Sequence, residues 1–367
     1  MIYIAGISIA LFLEFLLISK KNKTLSDKIL MIWMLLIAVH LYLFYLSYSN
    51  QIFELPFLLG IELPMPLFYS VFLLFYVGSM TEQIPKKKWT LSLHFLPIIA
   101  SYLYLITFFI LPVDQKIYVY EHKGLGFENY MLVVDVFYPL HGLLYIIWSL
   151  KLLNKHKRNI KRQFSNLEKI NLRWLRVLIY CTAVLWTLVL FLPDTYIFVA
   201  IVLFVFIISF FGIKQDRIFA HGKLDTTPII QEKKVELPTK KYAKSGLTEE
   251  QSEKIYKQLI NLLTEDKLFQ NGELTILELA NRLETKANYL SQIINEKENK
   301  NFYDFINNFR LMAFKAMVTD QNHKKFTLLA MAYECGFSSK SSFNRYFKKT
   351  MEQTPTEYVN QIKSTIK

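Results

Sequence analysis

The sequence predicts an all-α protein in two parts: a seven-helix transmembrane bundle and, after a linker, a domain built from two helix-turn-helix units. Two observations support this prediction. Hydrophobic residues make up 53% of the 367 residues and charged residues only 20%, whereas a soluble globular chain is about 25% charged. The charges are also unevenly divided, with 29 in residues 1–213 and 44 in residues 214–367. The two parts therefore belong to different environments.

Composition excludes several classes of protein. The apolar and charged contents are unlike those of collagen, of disordered chains and of disulfide scaffolds. The two cysteines, Cys181 and Cys335, are far apart and form no CxxC pair, so we expect neither a zinc site nor a disulfide framework. The net charge of +13 does not by itself indicate nucleic-acid binding, because +7 of it lies in residues 1–213, among the apolar segments.

Long apolar runs fill the first part of the chain. They lie at 2–18, 29–49, 57–79, 91–111, 129–150, 174–192 and 196–213. Roughly 20 helical residues cross a hydrocarbon core about 30 Å thick, and helices are the default in lipid because every backbone group must be paired within the segment. The alternative is that one run, at 2–18 or 196–213, is a buried helix of a soluble fold.

Lysine and arginine residues alternate between the loops that join these runs. Loops 19–28, 81–90 and 151–173 together carry 15 of them, while the other three loops carry only Lys116 and Lys123. Basic loops tend to stay on the cytoplasmic side. The pattern therefore predicts a multi-pass protein of the bacterial cell membrane, with its N-terminus outside and its C-terminal domain in the cytoplasm.

Four ionisable residues lie inside the apolar runs: Glu14, His40, Asp135 and His141. Such groups are costly in lipid and are candidates for intramembrane sensing, although hydrogen bonding inside the bundle is the more ordinary role. Asp135 and His141 are six residues apart, which turns a helix by about 600°, so they do not face the same way. The runs contain no HExxH, paired-aspartate or serine–lysine arrangement. We therefore expect no enzyme, no cofactor and no metal.

The character of the chain changes after the last run. Residues 214–245 mix Lys, Pro, Thr and Gln with few large apolar side chains, which predicts a partly disordered cytoplasmic linker. The domain that follows, 246–367, begins with a predicted amphipathic helix over 247–269. Thr248 followed by Gln251 is a capping-box pattern for its N-terminus.

From residue 272 onward, short helices alternate with tight turns. Around Ala280, apolar residues recur at helical spacing, and this small side chain lets a second helix cross closely. Thr285 is the predicted cap of the second helix. The outer face of that helix presents short polar side chains able to read base edges, namely Asn288, Ser291, Gln292 and Asn295.

A long helix is predicted over 302–318, and a second helix-turn-helix follows it. In this unit Ala332 is the small residue at the helix crossing, Gly336 lies in the turn, and Ser338 or Ser339 caps the second helix. The outward face of this helix carries polar and basic side chains, namely Lys340, Ser341, Asn344, Arg345, Lys348 and Lys349.

Positive charge is concentrated around this second outward face. From Arg310 to the end, ten Lys and Arg residues oppose four Asp and Glu residues, and such clustering neutralises phosphates. One helix-turn-helix pattern also fits any small helical bundle. Two copies joined by a helix of about 25 Å, however, can place two recognition helices about 34 Å apart, which is one turn of DNA.

Two stretches of this domain match a known pattern. One is AYECGFSSKSSFNRYFKKTMEQTPTEYV, with its Ala, Gly-Phe, Ser, Phe, Arg, Phe-Lys and Thr-Pro-x-x-Tyr positions, and the other is LSQIINEKENKNFYDFINNFR. Through them, residues 274–359 resemble the DNA-binding domain of AraC-type transcription regulators. The layout of the whole chain also resembles a membrane-anchored branch of that family, with a multi-helix N-terminal region.

The resemblance implies that each recognition helix enters a major groove. It assigns DNA contacts to Asn288, Ser291 and Gln292 in the first helix and to Lys340, Ser341, Asn344 and Arg345 in the second. We add Lys348 from the outward face of the second helix. Glu284 and Glu352 stand where family members often have Gly, and Val359 stands where Arg is common. A positive φ at Glu284 would be mildly costly, which favours a different turn there, and Val359 removes a phosphate contact.

Together these patterns predict a membrane-embedded, sequence-specific DNA-binding transcription regulator whose membrane region senses a signal and passes it through the linker. Expected partners are duplex DNA at an operator or promoter, the lipid bilayer, RNA polymerase, a second copy of the chain and an unidentified signal ligand. One alternative is a membrane receptor whose cytoplasmic helical domain docks a protein rather than DNA. Another is a transporter or intramembrane enzyme with a regulatory tail.

Overall fold

A computed structural model describes residues 2–85, 87–168, 170–219, 248–320 and 325–365. Among these residues there is no β-strand, and an isolated antiparallel bridge joins Phe164 to Thr275. The described chain is therefore all-helical, as the sequence predicts. The prediction of a linker over 214–245 is wrong for residues 214–219, which continue the last apolar helix, and residues 220–245 lie outside the described residues.

The chain divides into two compact units, and neither is continuous in sequence. The first, here called the apolar unit, comprises residues 1–156 and 172–221. The second, here called the polar unit, comprises residues 157–171 and 222–367. A segment that lies between two apolar helices in the sequence thus packs with the C-terminal domain.

The apolar unit is a set of helices of unequal length. In chain order they are α1 (Ile2–Ser19), α2 (Leu25–Tyr48), α3 (Met65–Met80), α4 (Lys88–Ser92), α5 (Leu96–Tyr104), α6 (Ile106–Phe109), α7 (Val113–Glu121), α8 (Glu128–Gln163), α9 (Arg173–Val189) and α10 (Asp194–Phe219). The last turns of α8 belong to the polar unit. Most predicted apolar runs correspond to one helix each.

The run at 91–111 forms no single long helix. After α4, a 3₁₀ turn over Leu93–Phe95 precedes α5, and α6 follows as a separate short helix. Pro97 lies at the start of α5, where the missing N–H of proline costs nothing. The prediction of one unbroken helix over 91–111 is therefore wrong, and the seven-helix bundle is not confirmed.

The run at 57–79 also differs from one continuous helix. A 3₁₀ turn at Pro56–Leu58 comes first, and α3 begins only at Met65, beside Pro64 and Pro66. These prolines set the start of a helix rather than a kink within one.

Four described helices are long and apolar enough to cross a membrane: α1, α2, α8 and residues 194–211 of α10. Helix α3 is apolar but shorter, with 16 residues. These helices also expose apolar side chains; on α1, Phe12 and Phe15 are exposed while Leu13 and Leu17 are buried. Soluble proteins rarely expose large contiguous apolar surface, whereas lipid tails are as apolar as these side chains.

The polar unit contains shorter helices that end in defined caps. They are α11 (Glu249–Thr264), α12 (Ile276–Arg282), α13 (Ala287–Glu298), α14 (Phe302–Thr319), α15 (Leu328–Glu334), α16 (Lys340–Met351) and α17 (Pro355–Thr365). The predicted capping box is confirmed. The hydroxyl of Thr248 accepts the N–H of Gln251 at 3.2 Å, and the side chain of Gln251 accepts the N–H of Thr248 at 3.0 Å.

Two hydrophobic clusters form the core of the polar unit, and α14 contributes to both. Leu259 of α11, Leu279 of α12 and Phe305 of α14 share the first cluster. Phe314 of α14 and Phe343 of α16 share the second. Each helix-turn-helix therefore has its own core, and the long helix fixes one core relative to the other.

Candidate DNA-binding surface

The first helix-turn-helix consists of α12, α13 and the turn between them. The hydroxyl of Thr275 caps α12 by accepting the N–H of Glu278 at 3.2 Å. Ala280 is fully buried, which permits the close crossing that the sequence predicts. The prediction that Thr285 caps α13 is wrong, because the N-cap is Lys286 and it makes no side-chain capping bond.

The predicted reading face of α13 is only partly open. Asn288 is exposed, while Ser291 and Gln292 are half-buried. The side-chain amide of Gln292 donates to Glu296 Oε1 at 3.0 Å, so a base contact by Gln292 requires it to exchange this partner. Asn288, in the first turn of α13, is the most accessible of the three, at the place where recognition helices usually meet base edges.

The second helix-turn-helix consists of α15, α16 and the turn between them. Ser339 rather than Ser338 caps α16, since its hydroxyl accepts the N–H of Ser342 at 3.1 Å. Phe343 and Phe347 face inward and are almost fully buried, and the Phe343 ring lies 4.7 Å from the ring of Phe314 on α14. Aromatic packing of this kind holds a short helix that would not be stable alone.

The outward side chains of α16 divide into open and engaged groups. Those that are exposed are Lys340, Ser341, Asn344, Lys348 and Lys349, while Arg345 is half-buried. Lys349, however, donates to Asp304 Oδ1 on α14 at 3.0 Å. Burial alone would raise the pKa of Asp304, but the hydrogen bond from Lys349 and the charge of Lys161 lower this pKa below its usual value. Lys349 thus links α16 to α14.

The two turns have the same backbone conformation with different residues. Gly336 has φ +89° and Glu284 has φ +48°, so the expectation of a different turn at Glu284 is wrong. In both turns the residue after the positive-φ position donates its N–H to the small alanine, from Thr285 to Ala280 at 2.9 Å in the first turn and from residue 337 to residue 332 at 3.0 Å in the second. At Gly336 a Cβ would lie 2.5 Å from a backbone oxygen. Glycine is therefore required at this position both by the positive φ and by the lack of space for a Cβ.

A buried arginine lies in the middle of α14. The side chain of Arg310 is 1% exposed, and burial lowers its pKa to about 10, which leaves it charged at neutral pH. Its Nε donates to Phe269 O at 2.8 Å and its Nη2 to Asn271 O at 2.8 Å. A buried charge needs such partners to offset its desolvation. Arg310 therefore holds residues 269–271, the segment before the first helix-turn-helix, against α14.

Two residues of segment 157–171, Ser165 and Glu168, bond to this domain, and the sequence did not predict these contacts. Nη1 and Nη2 of Arg310 also donate to Ser165 O at 3.2 Å and Ser165 Oγ at 3.0 Å. Glu168 Oε1 accepts the hydroxyl of Ser341 at 2.5 Å and that of Ser339. One sequence signal points to Glu168: it is the single acidic residue in loop 151–173, which carries eight Lys and Arg residues.

The candidate sensing residues of the apolar unit lie on three helices, α1, α2 and α8. His40 is buried and its Nδ1 lies 2.5 Å from the hydroxyl of Tyr69, which is the ordinary bundle-interior role. Glu14 is half-buried on α1. Asp135 is exposed and His141 is buried, so the predicted difference in direction along α8 is confirmed.

Within the described ranges, no group of three or more His, Cys, Asp and Glu residues could hold a metal ion. Cys181 is half-buried and Cys335 is buried, and both are free thiols. Burial raises the pKa of Cys335 to about 12, which makes it an inert packing residue.

Comparison with known proteins agrees with the geometry of the polar unit. Residues 279–361 match a family model described as a helix-turn-helix domain. An uncharacterized response regulatory protein of Staphylococcus epidermidis is 26% identical over 102 residues, which cover 28% of this chain and 39% of that protein. The match therefore spans well under half of that relative. No solved structure matches the chain. The comparisons thus show a helix-turn-helix domain in the C-terminal part of the chain.

Proposed function

We propose that this chain is a membrane-embedded transcription regulator that binds specific DNA through its two helix-turn-helix units, and that its apolar unit senses a signal. The DNA-binding part rests on one observation: α13 and α16 each pack on a separate core and each present polar side chains from their first turns. Asn288 on α13 and Lys340 on α16 are exposed there. Such faces suit contacts with base edges and phosphates in the major groove.

Embedding in a membrane is supported by the apolar helices and by the charge of the loops. Segment 157–171 packs in the polar unit and is part of the most basic loop, 151–173. A loop and the domain into which it packs must lie on the same side of a bilayer. The basic-loop rule then assigns that side to the cytoplasm, where the chromosome is reachable.

Selection from random duplexes tests the DNA-binding proposal. Full-length protein in lipid nanodiscs should enrich one operator sequence, and log K for that operator should fall linearly with log salt. Arg345→Ala should reduce affinity at one base position by about 1–3 kcal/mol. Absence of any enriched sequence would contradict the proposal and favour docking to a protein.

Accessibility of the chain ends tests the membrane proposal. An epitope placed after Lys367 should be shielded in intact cells and become reachable after the membrane is permeabilised. A tag before the first helix should be reachable without permeabilisation. The reverse result would place the helix-turn-helix units away from DNA, and the membrane-embedded regulator would have to be rejected.

A further inference from the structure

Segment 164–168, in the loop between α8 and α9, is built into the polar unit. Ser165 is 1% exposed. Its N–H and its hydroxyl both donate to Leu274 O, at 3.2 and 2.7 Å, and its carbonyl accepts from Asn307 Nδ2 at 3.1 Å and from Arg310. Every polar group of Ser165 therefore has a partner in the C-terminal domain. Ser165 therefore anchors the segment to the C-terminal domain.

Apolar side chains on both sides of Ser165 strengthen the anchor. Ile160 and Leu167 are buried in the same hydrophobic cluster as Phe343 and Phe347 of the second helix-turn-helix. Burial of each such aliphatic side chain is favourable by the hydrophobic effect. The segment is thus one wall of the core that holds α16 in place.

Glu168 lies at the N-terminus of α16. Its carboxylate accepts hydrogen bonds from the hydroxyls of Ser339, the N-cap, and of Ser341, in the first turn. Helix N-termini favour anions, because their free N–H groups and the helix dipole are positive. In a helix-turn-helix, the N-terminal residues of the recognition helix are the ones that meet DNA. The carboxylate therefore occupies the position that base edges or phosphates would take.

On the basis of the proposed function, we infer that segment 164–168 is a built-in competitor of DNA. The segment stays bound to the polar unit, and its Glu168 competes with DNA for the N-terminus of α16. Ser165 keeps the segment attached, while Glu168 must leave Ser341 before DNA can contact it. Because α8 and α9 flank the segment in the chain, a change in either apolar helix reaches the recognition helix through this loop. The route requires no transmission through the linker.

Operator affinity of charge-matched variants tests the competition. Full-length protein in nanodiscs is titrated with fluorescent operator, and Glu168→Gln is compared with Glu250→Gln, which removes the same charge from the exposed first turn of α11. Glu168→Gln should tighten binding by roughly fivefold or more, because a charge-assisted hydrogen bond is lost from the unbound state. Glu250→Gln should change affinity by less than about twofold.

A reversible crosslink tests the same inference by holding the segment on α16 instead of weakening its contact. In the double variant E168C/S341C, a short bis-methanethiosulfonate reagent should hold the loop on α16 and abolish operator binding, and reduction should restore the binding of the untreated variant. The single variant E168C, treated in the same way, should bind as before.

The outcomes separate this inference from the proposed function. If the wild-type protein selects no operator, the DNA-binding proposal fails and the inference fails with it. If the wild-type protein binds an operator but Glu168→Gln and Glu250→Gln behave alike, or the crosslinked variant still binds, only the inference is overturned.

Discussion

The two helix-turn-helix units of the polar unit have the same turn and different surroundings. In the first unit, α13 is supported by α11, with Lys297 paired to Glu253 at 2.6 Å and the hydroxyl of Tyr256 donating to Glu298 at 2.5 Å. In the second unit, the support includes Ile160, from the last turn of α8, and Leu167, from the loop that follows α8. The first recognition helix is thus backed by its own domain, and the second by a loop that connects two apolar helices.

This difference indicates which of the two units the apolar helices can regulate. Asn288 in the first unit is exposed, whereas Ser341 in the second unit already donates to a carboxylate. Among the described residues, segment 164–168 bonds to the N-terminus of α16 itself, whereas beside the first unit it contacts Leu274 and Thr275, which precede α12. We therefore expect the two reading helices to respond unequally to changes in the apolar helices.

The largest expected effect is that of Arg310→Ala. The buried guanidinium bonds to residues 269–271, before the first unit, and to Ser165, which itself bonds to Leu274. Its removal leaves several buried oxygens unpaired and should destabilise the polar unit by about 3 kcal/mol. Hydrogen exchange of α14 in the full-length protein measures this loss. Arg282→Ala, at a half-exposed ion pair, should cost less than about 0.5 kcal/mol, and equal effects would contradict the assignment.

Gly336→Ala should have the next largest effect on stability. The substitution combines a positive φ with a Cβ placed 2.5 Å from Phe269 O, so the unit should lose about 2 kcal/mol. Thermal unfolding of the nanodisc-bound protein, followed by exchange in α15 and α16, measures it. Gly272→Ala is a suitable control, because its nearest contact, at 3.5 Å, is ordinary packing.

Paired substitutions on the reading helices compare the two units directly. Asn288→Ala and Arg345→Ala should each weaken operator binding by about 1–3 kcal/mol and relax preference at different base positions. Selection with each variant reports which positions change. Lys254→Ala, on the exposed side of α11, should relax none. Loss at the same base position in both variants would show that the two helices do not read separate sites.

The smallest expected effect is a gain in stability. Glu284 adopts φ +48°, which costs a residue with a Cβ about 1 kcal/mol or more. Glu284→Gly removes this strain, and the greater freedom of glycine in the unfolded chain offsets part of the gain. We expect net stabilisation by about 0.5 kcal/mol in denaturant unfolding. Glu284→Ala keeps the strain and removes the charge, so it should not stabilise.

Local sequence determined most of the helical architecture. The capping box at Thr248, the cap at Ser339 and the buried faces around Ala280 follow from interactions three or four residues apart, which do not depend on the rest of the fold. The prediction for Thr285 was one residue early, because Lys286 ends the turn without a side-chain bond. The exposed positions of α16 followed from the same periodicity.

Only the tertiary structure decided which distant groups meet. Ser165 and Arg310 are 145 residues apart in the chain, and Glu168 and Ser341 are 173 apart. Periodicity cannot report a contact between segments separated by several helices, since the pairing depends on how those helices pack. The sequence by itself therefore determined most of the helices, the capping box at Thr248 and the outward polar face of α16. Packing alone determined that a loop between two apolar helices occupies the N-terminus of the second reading helix.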